Sequence, residues 1–123
     1  MDTGLEGGRW ATLVVIADGT TSLYTSTGGG IIGAGAHAAV AQAGQAWLSA
    51  LEGHLELLPR TDRPGLPAAG HVVIRALTFG GERAVEAPEA DLGHGRDPAS
   101  PLFHAAHAVI TEMRLLEESR EGP

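Results

Sequence analysis

Apolar residues recur along this chain in two rhythms. Trp10-Ala-Thr-Leu-Val-Val-Ile-Ala17 is a nearly continuous β-branched run, which predicts a strand at the centre of a sheet. Thr21-Ser-Leu-Tyr-Thr-Ser26 alternates and predicts the returning strand, with Asp18-Gly19 as the turn because Gly adopts positive φ freely and Asp tolerates it. The same design returns further on. His71 to Phe79 and Glu82 to Ala87 flank Gly80-Gly81, and the second of these strands carries charges, as an edge strand should.

The second rhythm is helical. Between Ala36 and Leu58, the residues Val40, Ala43, Trp47, Leu51, Leu55 and Leu58 recur at three- and four-residue steps and make one apolar face. Pro59 ends that helix, and residues 60–67 form a proline-rich connector. After a polar loop at 88–99, Ser100 is placed to cap a second helix with Pro101 at its first position, and Leu102, Ala106, Val109, Met113 and Leu116 form its buried face.

The order is ββα followed by ββα. It predicts an α+β two-layer sandwich, a four-stranded antiparallel sheet with two helices on one face. Residues 10–118 make a single domain in this reading, with flexible tails at 1–9 and 119–123. Leu13, Val15, Ile16 and Tyr24 cannot all face the helices, so apolar sheet surface is left for a partner, most simply a second copy of the chain in a homodimer.

Composition narrows the chemistry. The chain has no cysteine, no lysine and no asparagine, and all eight of its basic residues are arginines. Thiol nucleophiles, thiolate metal sites, Schiff bases and lysine-containing phosphate loops are therefore excluded. A formal net charge of -7, with the arginines scattered, disfavours nucleic acid and anionic membranes as partners. No apolar run approaches the roughly 20 residues that span a bilayer, and the acidic start lacks a leader's apolar stretch, so a cytoplasmic protein is expected. Twenty of the apolar residues are alanines and only 4% of the chain is aromatic, which makes the core thin.

Three groups of residues remain as candidate chemistry. Gly28, Gly30 and Gly33, with Gly35 close behind, spell a glycine pattern between a strand and a helix, where backbone N–H groups could cradle a phosphate or nucleotide. The context differs from a dinucleotide site, since the preceding strand belongs to a hairpin and Glu52 and Glu56 lie on the helix. His104 and His107 share a helix flank, and with His94 and the carboxylates of Glu89, Asp91 or Asp97 they could hold a divalent metal. Ser22, Ser26 and Ser100 lie in no nucleophile elbow, and His37 would be the distant base of any dispersed triad. No catalytic residue and no cofactor is assigned.

Several strings resemble a family of small bacterial proteins of unassigned function: Trp10-Ala-Thr-Leu-Val-Val, Asp18-Gly-Thr, Ser22-Leu-Tyr, the glycines of 28–35, Leu77-Thr-Phe and Pro101-Leu-Phe-His-Ala-Ala-His. The element order is also similar to roadblock-like and profilin-like domains, which implies a dimerising or partner-binding module. The chain departs from roadblock-like domains in opening without a helix, so their helix-mediated dimer is not carried over. The functional expectation is a non-enzymatic homodimeric interaction module. The alternative is a ligand-binding protein or small enzyme using the 28–35 loop.

Overall fold

The computed structural model describes residues 1–61 and 65–121. Its four longest strands are the predicted ones. β2 (Trp10–Val15) and β3 (Thr21–Thr25) form one hairpin, and β5 (His71–Thr78) and β6 (Gly81–Pro88) form the other. Two further strands change the architecture. β1 (Asp2–Gly4) and β4 (Gly30–Ile31) bring the antiparallel sheet to six strands in the order β4-β3-β2-β1-β5-β6.

The expected four-stranded sheet is thereby corrected, and so is the flexible tail at 1–9. β1 lies at the sheet centre, where Asp2 is level with Thr12 on one side and Val73 on the other. Three residues are too short to show a period, so no sequence pattern marks this strand. Among the described residues, the two hairpins are joined into one sheet through it.

Register divides the side chains between two faces. Met1, Leu13, Val15, Leu23, Val72, Ile74 and Val85 share one face and join the core made by both long helices. α1 (Ala38–Gly53) contributes Val40, Trp47 and Leu51, and α3 (Ser100–Glu121) contributes Leu102, Ala106, Val109 and Met113. The two helices therefore cover one side of the sheet, and they also pack on each other. α1 is shorter than its apolar period suggests, because the chain tightens after Gly53 into a 3-10 turn at Leu55–Leu57 and still buries Leu58.

A short helix, α2 (Glu89–Gly93), occupies part of the expected loop. The start of α3 is held from outside it: the Asp97 carboxylate accepts the Ala99 N–H at 2.8 Å, and the Ser100 hydroxyl accepts the Asp97 N–H at 3.4 Å. Ser100 thus secures the preceding turn, which corrects its reading as a simple cap. α3 continues to Glu121, into the expected C-terminal tail, whose last two residues lie outside the described ones.

The second sheet face is less open than the pattern suggests. Residues 65–70 cross it: the Gly4 backbone approaches so closely that a Cβ there would stand 2.0 Å from the Ala68 carbonyl oxygen. Pro67 and Val73 are buried, and the Arg75 guanidinium reaches the Gly65 carbonyl. The middle of the expected connector, 62–64, lies outside the described residues. Ile16 and Tyr24 stay exposed, while Leu13 and Val15 turn to the helices, as the count of apolar sheet positions requires.

Candidate functional site

β1 spans Asp2–Gly4, whereas β2 and β5 run on past it in the same direction. One intervening strand sets the distance between β2 and β5 at two strand spacings, about 9.6 Å. Beyond Met1 a slot opens between β2 and β5. Val14 and Val15 wall it on one side and Ala76 and Leu77 on the other, Met1 closes its end, and Trp47, Leu48 and Leu51 of α1 form its back. Its volume is about 660 Å³.

The slot is apolar inside and charged at its margin. Arg75 donates to Asp2 and to Glu82, each at 3.0 Å, and Thr12 donates to the other Asp2 oxygen at 2.7 Å. These groups share the outer sheet face, where they fix β1 against β5 and β6. Glu52 of α1 adds a carboxylate to the slot's lining from the helix side. Ile16 and Leu77 line the slot and are exposed, Leu77 at 86%, and Phe79, just past the end of β5, is wholly outside.

Two polar groups in this region are poorly solvated. The Trp47 indole N–H is buried and meets no acceptor among the described residues. The Met1 ammonium donates to the Leu13 carbonyl at 2.7 Å, and burial pushes it down from 8.0 to about 6, opposed by the charge of Asp2 and assisted by that of Arg75.

The glycine loop has a different explanation. A Cβ at Gly35 would lie 1.8 Å from the Gly19 carbonyl oxygen, and one at Gly30 would lie 2.3 Å from that of Leu23. These glycines let the loop dock on the first hairpin. Gly28 and Gly33 sit at positive φ in the turns between. The depression beside Gly29 and Gly30 is shallow and presents Glu117 and Glu118 with Arg114, two carboxylates to one guanidinium, an unfavourable field for an anion.

The histidines are likewise engaged in packing. His94 Nδ1 lies 2.7 Å from the Ala90 carbonyl, and the Phe103 ring contacts both His104 and His107, at centroid distances of 5.7 and 4.4 Å. Burial lowers the His107 pKa, with Glu89 opposing and Arg114 and His104 assisting. Among the described residues no three His, Asp or Glu side chains gather closely enough to hold a metal ion, so the expected grouping of His94, His104 and His107 is not formed.

Of the serines, Ser22 and Ser100 are buried, and the Ser26 hydroxyl accepts the Trp10 N–H at 3.0 Å. The slot was missed in the sequence because it depends on β1 pairing with both β2 and β5, and β1 has no pattern of its own. Trp47 on an otherwise aliphatic stripe was the available signal. No described helix is long and apolar enough to cross a membrane. No known protein family, curated protein or solved structure matches the chain.

Proposed function

We propose that this chain is a non-enzymatic protein-interaction module that receives part of a protein partner in the slot between β2 and β5. The observation that carries this reading is an apolar slot whose walls include two exposed apolar side chains, Ile16 and Leu77. A fold with a thin core gains stability by burying such residues, so a surface that leaves them outside suits a partner. The packing of the glycine loop and the dispersal of the histidines support a binding role over a phosphate-dependent or metal-dependent one.

A random-peptide display selection on the folded domain tests this. The expected result is enrichment of sequences that lose at least about tenfold in affinity, near 1.4 kcal/mol, against Ala76→Leu, which fills the slot, and against Leu77→Arg, which charges its rim. Melting curves establish that both variants fold. No enrichment, or enriched peptides that bind both variants unchanged, overturns the reading.

Self-association is a second reading, favoured by the exposed Leu77 at the slot and the exposed Phe79 two residues after it. A two-fold pairing needs knob and hole on the same surface. Sedimentation equilibrium at high micromolar concentration should show a dimer that Phe79→Ser dissociates. A strict monomer excludes it.

A further inference from the structure

His107 carries a buried atom that its packing leaves unmatched. The residue stands on α3 with Phe103 one turn before it and Ile110 one turn after, and both of those are buried. The Phe103 and His107 rings lie 4.4 Å apart between centroids, at 52°. Nε2 of His107 is sealed from solvent and meets no hydrogen-bond partner among the described residues. A neutral ring with its proton on Nδ1 leaves Nε2 a bare acceptor, but a protonated ring places an N–H and a charge there with nothing to receive them.

The element laid against α3 near this flank is α2, whose Leu92 is buried. Five residues give a helix no stability of its own, so α2 keeps its place through its contacts. The Glu89 N–H ties its start to the Gly70 carbonyl at 2.8 Å, while the exposed Asp91 and Arg96 pair closes its far end on itself and adds nothing to its hold on α3.

We infer that acid releases α2 from α3: when His107 takes up a proton, the short helix lifts away while the sheet and both long helices stay folded. The charges that bear on His107 are Glu89 from α2 and Arg114 and His104 from α3. Burial acts most strongly and disfavours the imidazolium, Glu89 favours it, and Arg114 and His104 oppose it, so the docked form holds the His107 pKa below its ordinary 6.5. The docked form thus binds the proton more weakly than the released one, and docking weakens as pH falls below 6.5. Above that value both forms are neutral and α2 stays down. His94 ends α2 with Nδ1 at the Ala90 carbonyl, so its protonation strengthens a bond inside the short helix and leaves the α3 contact alone.

The test is hydrogen exchange of the full chain by NMR between about pH 8 and about pH 5, each rate corrected for its intrinsic pH dependence. Protection of the Glu89 and His94 amides should fall severalfold on acidification, while the Ile74 and Val85 amides in the sheet keep theirs. The loss should level off once the His107 ring of the docked form has itself titrated, which is read from its imidazole resonances in the unsubstituted protein and needs no variant to fold. His107→Gln should make the protection of α2 independent of pH, Glu89→Gln should move the His107 midpoint further down, and His94→Gln should leave the release unchanged. Equal protection at both ends of the range, a loss that keeps growing below the His107 midpoint, release that persists in His107→Gln, or sheet amides that open together with α2 overturns the inference.

Discussion

Arg75 shows how much can depend on one side chain. Its guanidinium joins Asp2 of β1, Glu82 of β6 and the Gly65 carbonyl of the crossing segment, so three parts of the chain separated in sequence meet on one rigid fork. Removing it leaves the Asp2 carboxylate, mostly shielded from water, with Thr12 as its one side-chain donor among the described residues. Arg75→Ala should cost about 2–3 kcal/mol in urea denaturation, below the full penalty for a broken buried pair because the guanidinium retains some solvent. The Met1 ammonium makes a second residue-scale prediction. Its folded pKa is depressed to about 6 from 8.0, so between those values the unfolded chain binds more protons than the folded one. For a chain that begins at Met1, stability should rise as pH increases from 6 to 8, by up to about 2–3 kcal/mol, and be lost as pH falls back through that window. N-terminal acetylation should abolish this slope, and an unchanged slope in the acetylated protein would assign it elsewhere.

At the scale of elements, β1 matters out of proportion to its three residues. Among the described residues it is the one strand shared by the two hairpins, each of which alone would be marginal in water. Thr3 pairs with Ala11 of β2 and Val72 of β5, and alternation aims its N–H at β2. Thr3→Pro removes that donor from a central strand, and the expected loss is about 3 kcal/mol. Amide exchange should then accelerate in β2 and β5 together; acceleration in β2 alone would show that the hairpins do not depend on β1 for their association. The elements most legible in the sequence were those with a repeating pattern. The apolar stripe from Val40 to Leu51 marks α1, and Leu102 to Met113 marks α3. The Gly19 and Gly80-Gly81 turns locate both hairpins. β1 and β4 escaped because strands of three and two residues carry no period, and α2 because five residues between turns look like loop.

For the molecule as a whole, the two-layer α+β arrangement and the single helix-covered face were readable from how many apolar positions each element offered. The site was not. The glycine string drew attention to 28–35, yet its Gly30 and Gly35 backbones pack against carbonyl oxygens of Leu23 and Gly19, a three-dimensional closeness that no spacing discloses. The slot lies between β2 and β5, which β1 brings together by pairing with both, so it exists only after the sheet has assembled. Trp47 was legible as core, and it is core, but its unmatched indole N–H depends on neighbours brought in by β2 and β5.

The central position of β1 also orders events in time. As the chain is synthesised, the β2 and β3 hairpin can close early and take β1 along one edge through local pairing, but the other edge of β1 waits for Val72 and Val73. Loop closure over that distance is slow compared with hairpin formation, so docking of the second hairpin onto β1 is the expected rate-limiting step. Until it happens β1 is a bare edge, and a chain halted before β5 emerges offers that edge to any neighbouring strand. Chaperone dependence and aggregation during synthesis should therefore concentrate in nascent chains that end before residue 71.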